Sequence, residues 1–231
     1  MSVRLLQPCF GPMDFDAPSN VRHSCDLRPG NDLRALTRER RRVAAMPLFG
    51  RKKDKEYQEA ARLLSEGRTE EASGKLRKFL GKHPNDVNAM VSLAVALVQV
   101  QKEPTLDSPN TQEALVLLEK AAELNPRDPV AIFNKGVCQR NLGLLAKALE
   151  SFEAALEIED RLPLALLHMA EINYELENWE KAIDLARLAL VRDPGIEGAL
   201  TWIPDAMKKA GYMDEEGNVI NAPWEEGNPD G

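Results

Sequence analysis

Residues 130–158 read VAIFNKGVCQRNLGLLAKALESFEAALEI, and this stretch decides the fold. Ile132, Gly136, Val137 and Gln139 precede a turn signal at Leu142–Gly143. Beyond it, Ala148, Leu149, Phe152, Ala155, Leu156 and Ile158 recur every three or four residues, the spacing of one apolar helix face. Two amphipathic helices joined by so short a turn must lie antiparallel. One such pair cannot cover its own apolar face, so the stretch predicts further pairs stacked against it.

Those pairs are present in the sequence. Ala148 sits in AKAL, and the same setting returns as EEAS around Ala72, QEAL around Ala114 and EKAI around Ala182, at separations of 42, 34 and 34 residues. Phe79, Ala121, Ala155 and Ala189 repeat at the same offsets. HPND at Pro84, NPRD at Pro126 and RDPG at Pro194 mark the boundaries, where proline ends one helix and can open the next. The phase calls for a proline at 160; the chain has Asp160 and delays the proline to Pro163. No segment alternates with a period of two over a useful length, so no sheet is expected.

A 34-residue period carried by these residues resembles the tetratricopeptide-repeat family. The family's small residue in the first helix corresponds to Ala60, Ala94, Gly136 and Ala170. Its turn glycine corresponds to Gly67 and Gly143, while Gln101 and Glu177 depart from it. Its apolar residue in the second helix corresponds to Leu76, Leu118 and Phe152, with Ala186 the weak member. The resemblance implies an all-α, right-handed α-solenoid of antiparallel helix pairs. The repeats are 53–86, 87–128, 129–162 and 163–196, with a C-terminal capping helix at 197–211. Pro204 fits that last helix only as a kink or if the helix begins later. The second repeat is eight residues too long, and the excess, Lys102–Thr111 (KEPTLDSPNT), reads as a surface loop between its helices.

Outside the repeats, residues 1–52 form a basic arm expected to be disordered, with ten Lys/Arg against five Asp/Glu and an Arg38–Arg42 run. Met46 begins a composition shift and reads as an alternative chain start. Residues 213–231 carry six acidic and no basic residues, and a disordered acidic tail is expected. Within it, Trp224 is a candidate for folding back onto the repeats. With a net charge of −7 for the chain and +5 in the arm, residues 53–231 carry −12, which argues against nucleic acid as a general ligand. Three scattered cysteines, Cys9, Cys25 and Cys138, make no disulfide framework, and Cys9, His23 and Cys25 lack a fourth zinc ligand. No run of apolar residues is long enough for a transmembrane helix.

No phosphate-binding glycine loop, nucleophile elbow or zinc helix motif occurs. His168 and Glu171 lie one turn apart on a predicted helix, and without further ligands they read as an ordinary groove pair. Catalytic residues, metal and cofactor are therefore not expected. In the resembling family the first helix of each pair lines the concave face, which implies a peptide-binding groove of Tyr57, Val91, Val95 and Val98 followed by Phe133, Val137, Arg140 and Asn141. Leu164, Leu167, Glu171 and Tyr174 complete it. Arg140 and Asn141 are expected to orient the ligand. The chaperone-binding members hold a terminal carboxylate with Lys, Arg and Asn; Val91, Val95, Asn134 and Leu164 stand at the matching positions, so chaperone tails are not expected partners. An apolar peptide or amphipathic helix fits better. The plain alternative is that these residues pack against neighbouring helices.

Together these observations lead to a cytoplasmic, non-catalytic adaptor or scaffold. A homo-oligomer formed through the solenoid faces is the second reading. Nucleic-acid or membrane tethering through the basic arm is the third.

Overall fold

The computed structural model describes residues 55–224, which fall into two compact units divided between Leu124 and Asn125. The basic arm, the candidate start at Met46, the Cys9–His23–Cys25 set and residues 225–231 lie outside the described residues.

The first unit contains α1 (Lys55–Ser65), α2 (Thr69–Lys82), α3 (Val87–Gln99) and α4 (Pro109–Leu124). Successive helices pack on one another, and α1 also touches α3, so the two first helices form one layer. Ala60, Ala72, Ala94, Ala114 and Ala121 are each fully buried. Their small side chains let backbones approach where helices cross, and Leu63, Leu76, Phe79, Leu97 and Leu118 fill the space around them. Helix α3, VNAMVSLAVALVQ, is apolar around most of its circumference and is buried accordingly. The Asp of HPND starts it: the Asp86 carboxylate accepts a 2.9 Å hydrogen bond from the Ala89 N–H, a side-chain N-cap.

The second unit contains α5 (Val130–Asn141), α6 (Leu145–Ile158), α7 (Pro163–Glu175), α8 (Trp179–Arg192), a 3-10 turn over Pro194–Ala199 and α9 (Ile203–Lys209). Again each helix packs on the next, with α5 also against α7. Gly136 shows why the small position matters. A Cβ built there would lie 2.8 Å from Phe152 Cε1, closer than such contacts occur. Phe152 has no solvent exposure, and its ring packs at 5.5 Å from Phe133 and 5.2 Å from His168. Pro163 opens α7, where its missing N–H costs nothing.

The turns inside the repeats share one backbone solution. Gly67 (φ 76°), Gly143 (φ 72°) and Glu177 (φ 62°) are all left-handed. Each turn is closed by the same two hydrogen bonds, for example Gly143 N–H to Arg140 C=O and Leu144 N–H to Gln139 C=O, both 2.9 Å. Glu177 therefore bears a conformation that glycine adopts without strain. Glu177→Gly is expected to raise the unfolding free energy by about 0.5–1 kcal/mol, the relief of strain exceeding the added chain entropy. Chemical denaturation of the two proteins checks this, and a less stable variant would refute it.

Gln101, the other departure from the turn glycine, has a different outcome. Helix α3 ends with right-handed backbone at Val100, and the inserted loop leads the chain away. The Gln101 side chain ties that loop down. It donates to the Leu97 C=O (2.8 Å) and to Thr111 Oγ1 (3.2 Å), while Ser108 donates to its carbonyl oxygen. The loop spans residues 100–108, and Pro109–Thr111 already belong to α4.

Two expectations are corrected at the C-terminal end. The helix expected over 197–211 is a 3-10 turn followed by a helix beginning at Ile203, with Pro204 in its first turn, where proline is tolerated. The tail expected to be disordered from Met213 is ordered through Trp224. Met213 makes a single antiparallel bridge with Val219, and the Ile220 N–H bonds the Tyr212 C=O at 2.8 Å. Asp214 closes the turn by accepting from the Asn218 N–H (2.7 Å) and Nδ2 (2.8 Å). The physical reason is apolar: Ala222 is fully buried, and Met213 and Trp224 cover a cluster of Ile183, Ala206 and Met207. The acidic Glu215 and Glu216 remain exposed. Sequence composition weighed those charges and missed the three anchors between them.

Candidate functional site

Within the second unit, the period itself builds a polar ladder across the first helices. Residues about 34 apart occupy equivalent places on neighbouring first helices, so a side chain one turn off that spacing can reach across. Arg140 on α5 does so. Its Nη1 bonds the Glu171 carboxylate, 31 residues on, and its Nη2 bonds Glu175 Oε1, 35 residues on, at 2.7 Å. Nη1 also lies 2.9 Å from His168 Nδ1. A guanidinium can only donate, so Nδ1 is the acceptor and that ring carries its proton on Nε2.

One repeat later the pattern recurs with different chemistry. Tyr174, Asp205 and Lys209 stand 34 residues after Arg140, Glu171 and Glu175. The Tyr174 hydroxyl donates to Asp205 Oδ2 at 2.5 Å, Lys209 pairs with the same oxygen at 2.7 Å, and the Lys209 ammonium lies 4.4 Å from the Trp179 ring centre. The Tyr174 hydroxyl is thus engaged in holding α9 in place.

The environment of Arg140 sets the protonation of its partners. Its side chain is 17% exposed and that of Glu171 is 25% exposed. Burial alone would raise the Glu171 carboxyl, but contacts with His168 and Arg140 outweigh it and hold the group below the usual carboxylate range. Burial would likewise lower Arg140, and Glu171 and Glu175 reverse this and raise it. Cys138, buried near the same helix, has its thiol pushed up to about 11 by desolvation and is not a reactive thiolate.

The expected groove residues divide by unit and by exposure. In the first unit, Val91 (8% exposed) and Val98 (5%) are buried, while Val95 and Tyr57 are partly exposed. Tyr57 shares a 3.1 Å hydrogen bond with Ser92 Oγ, linking α1 to α3. In the second unit Phe133, Val137 and Leu167 are buried, whereas Asn141, Leu164, Glu171 and Tyr174 are partly exposed. The buried members pack in the interior as helix-contact residues. Arg140, expected to orient a ligand, is instead tied to Glu171, Glu175 and His168. The link was discoverable from the 34-residue period, which places position 140 beside 174 and hence within a turn of 171 and 175.

Elsewhere, a depression of ≈ 340 Å³ in the first unit is lined by Gly67, Arg68, Thr69, Glu70, Glu71, Gln99 and Val100. Its cation is already occupied, since Arg68 bonds Glu71 through two nitrogens at 2.7 and 2.6 Å. Among the described residues no three His, Cys, Asp or Glu side chains are grouped to hold a metal, and no helix is long and apolar enough to cross a membrane. Trp224 does fold back. It meets Tyr212 edge-on at 5.5 Å and lies under the Arg187 guanidinium at 4.1 Å, on α8.

Among solved structures, the chain is similar to a thermophilic tetratricopeptide-repeat protein of Thermus thermophilus, with 22% identity and a TM-score of 0.58 over 66% of this chain and 80% of that one. The fold is the tetratricopeptide-repeat (TPR) fold. MamA is also similar, at 17% identity and a TM-score of 0.54 over 66% of this chain and 84% of MamA. A double mutant of MamA gives 19% identity and a TM-score of 0.54, covering 68% of this chain and 86% of that one. Residues 107–187 match the family described as anaphase-promoting complex, cyclosome, subunit 3. No curated protein matches the chain. In TPR terms, α1, α3, α5 and α7 are the first helices, α2, α4, α6 and α8 the second helices, and α9 a fifth first helix. Gly211 (φ 76°) closes α9 as Glu177 closes α7, 34 residues earlier, so the repeat phase runs to the end of α9.

Proposed function

We propose that the chain is a non-catalytic protein-interaction scaffold, and that its ligand lies across the first helices α5 and α7 of the second unit. One observation carries this reading. Arg140 fixes α5 to α7 through Glu171 and Glu175, and beside that bridge Asn141, Leu164 and Tyr174 remain partly exposed. The face is therefore held in one shape before any ligand arrives, which lowers the ordering cost of binding. Its mixture of leucine, aromatic and amide groups suits one side of an amphipathic helix or an apolar peptide. The TPR fold, and the match to a family described as a subunit of a multiprotein complex, support the same reading.

Asn141 makes no side-chain hydrogen bond among the described residues and is partly exposed, so it can be enlarged without loss of packing. Asn141→Trp is expected to reduce partner capture from native extract at least about ten-fold by occluding the face, with far-UV circular dichroism and thermal unfolding unchanged. Undiminished capture by a folded variant would sink the proposal.

Self-association is a second reading, favoured by Leu188 (41% exposed) and Val191 (80% exposed), one turn apart on α8. Light scattering of the purified protein separates the two, since a monomer at micromolar concentration excludes the second.

A further inference from the structure

The bridge at Arg140 is asymmetric in charge, and the asymmetry bears on which helical or extended segment the α5–α7 face accepts, given the proposed binding of such a segment there. Arg140 takes Glu171 through Oε2 and Glu175 through Oε1. Glu171 Oε1 and Glu175 Oε2 have no partner among the described residues. Both carboxylates are ionised at neutral pH against one guanidinium, and His168, accepting from Arg140, adds no charge. The network therefore carries one uncompensated negative charge. Two unengaged carboxylate oxygens are held close together because their partner oxygens sit on adjacent nitrogens of the same guanidinium. The two carboxylates are also accessible to solvent, the side chains of Glu171 and Glu175 being 25% and 40% exposed.

An ammonium or guanidinium arriving at this point finds two acceptors already placed, with no existing pair to separate. A carboxylate arriving there finds Arg140 engaged on both terminal nitrogens and two like charges in front of it. We propose that Glu171 and Glu175 determine specificity: the face takes an amphipathic segment that places one Lys or Arg side chain against both carboxylates, and it rejects segments with an acidic residue or a free carboxyl terminus at that place. The orienting cation belongs to the ligand, and Arg140 is the residue that positions its seat.

The test uses two synthetic amphipathic helical peptides with the same leucine face, one flanked by lysines and the other by glutamates. Binding to the full chain is measured by fluorescence anisotropy at low and at physiological salt. The lysine peptide is expected to bind about ten-fold more tightly at physiological salt. Glu175→Gln, at the more exposed position, is expected to remove most of that preference while leaving thermal unfolding intact; Glu171→Gln should act the same way. Glu153→Gln, on an exposed part of α6, controls for the acidity of the whole surface. Equal binding of the two peptides overturns the inference, as does a preference that survives Glu175→Gln or falls equally with Glu153→Gln. If neither peptide binds, the reading of the face itself fails, and this inference fails with it.

Discussion

Replacing Phe152 by alanine is expected to lower the stability of the second unit by about 3–5 kcal/mol, the range for removing a large aromatic side chain from a core. Phe152 is fully buried, stacks on His168 with an interplanar angle of 14°, and packs against Phe133. Its ring also fills the space that Gly136 leaves open, with a virtual Cβ there only 2.8 Å from Cε1. The same contact predicts a coupling. Gly136→Ala alone should cost about 1–2 kcal/mol, because the clash with a ring locked on its other sides exceeds the helix propensity gained. In a Phe152→Leu background that penalty should fall or change sign, since the smaller side chain can give way. Chemical denaturation of the four proteins forms a double-mutant cycle. Additive effects would show that the small position is not set by this ring.

Arg140→Ala is the second large effect. It leaves two carboxylates facing each other on α7, one of them, Glu171, only 25% exposed. Breaking a fully buried pair costs about 3–5 kcal/mol, and partial exposure here reduces the expectation to about 2 kcal/mol. Arg140→Lys should recover only part of this, because an ammonium cannot span two carboxylates as a planar fork does. The pH dependence carries the same signature. The folded Glu171 carboxyl titrates below its ordinary value of 4.5, so its stabilising contribution is complete above that value and is lost as pH falls through the folded pKa. Unfolding free energy should therefore decline on acidification below about pH 4.5 in the wild type, and the decline should be shallower in Arg140→Ala. Parallel profiles for the two proteins would contradict the assignment. Asp205 and Asp214, also held low by their partners, lie at the surface and contribute less.

Much of this architecture is legible along the chain because a repeat protein is quasi-one-dimensional. Each helix packs mainly on its sequence neighbours, so the positions of Ala72, Ala114, Ala148 and Ala182 report contacts directly. The 34-residue spacing also marks which residues stand side by side on successive first helices. The places where that reading falls short are local substitutions of one physical device for another. Glu177 accepts left-handed backbone without being glycine. Gln101 replaces a turn with a side-chain anchor for an inserted loop. At the C-terminus, three apolar residues spread over an acidic segment are enough to order it once a complementary apolar cluster is present. Composition, which averages over the segment, does not see that cluster.

The candidate site divides along the same line. The sequence by itself determined which residues lie on the first helices, because the helical period and the repeat period together assign each position to a face. Only the tertiary structure decided which of them are free to meet a ligand. Val91, Val98, Phe133, Val137 and Leu167 share the periodicity of a lining residue but are buried. Arg140 has the charge expected of a ligand contact but is consumed by Glu171 and Glu175. Periodicity specifies direction from a helix axis, whereas exposure and pairing depend on how closely the neighbouring helix approaches, and side-chain volumes such as those of Gly136 and Phe152 set that distance.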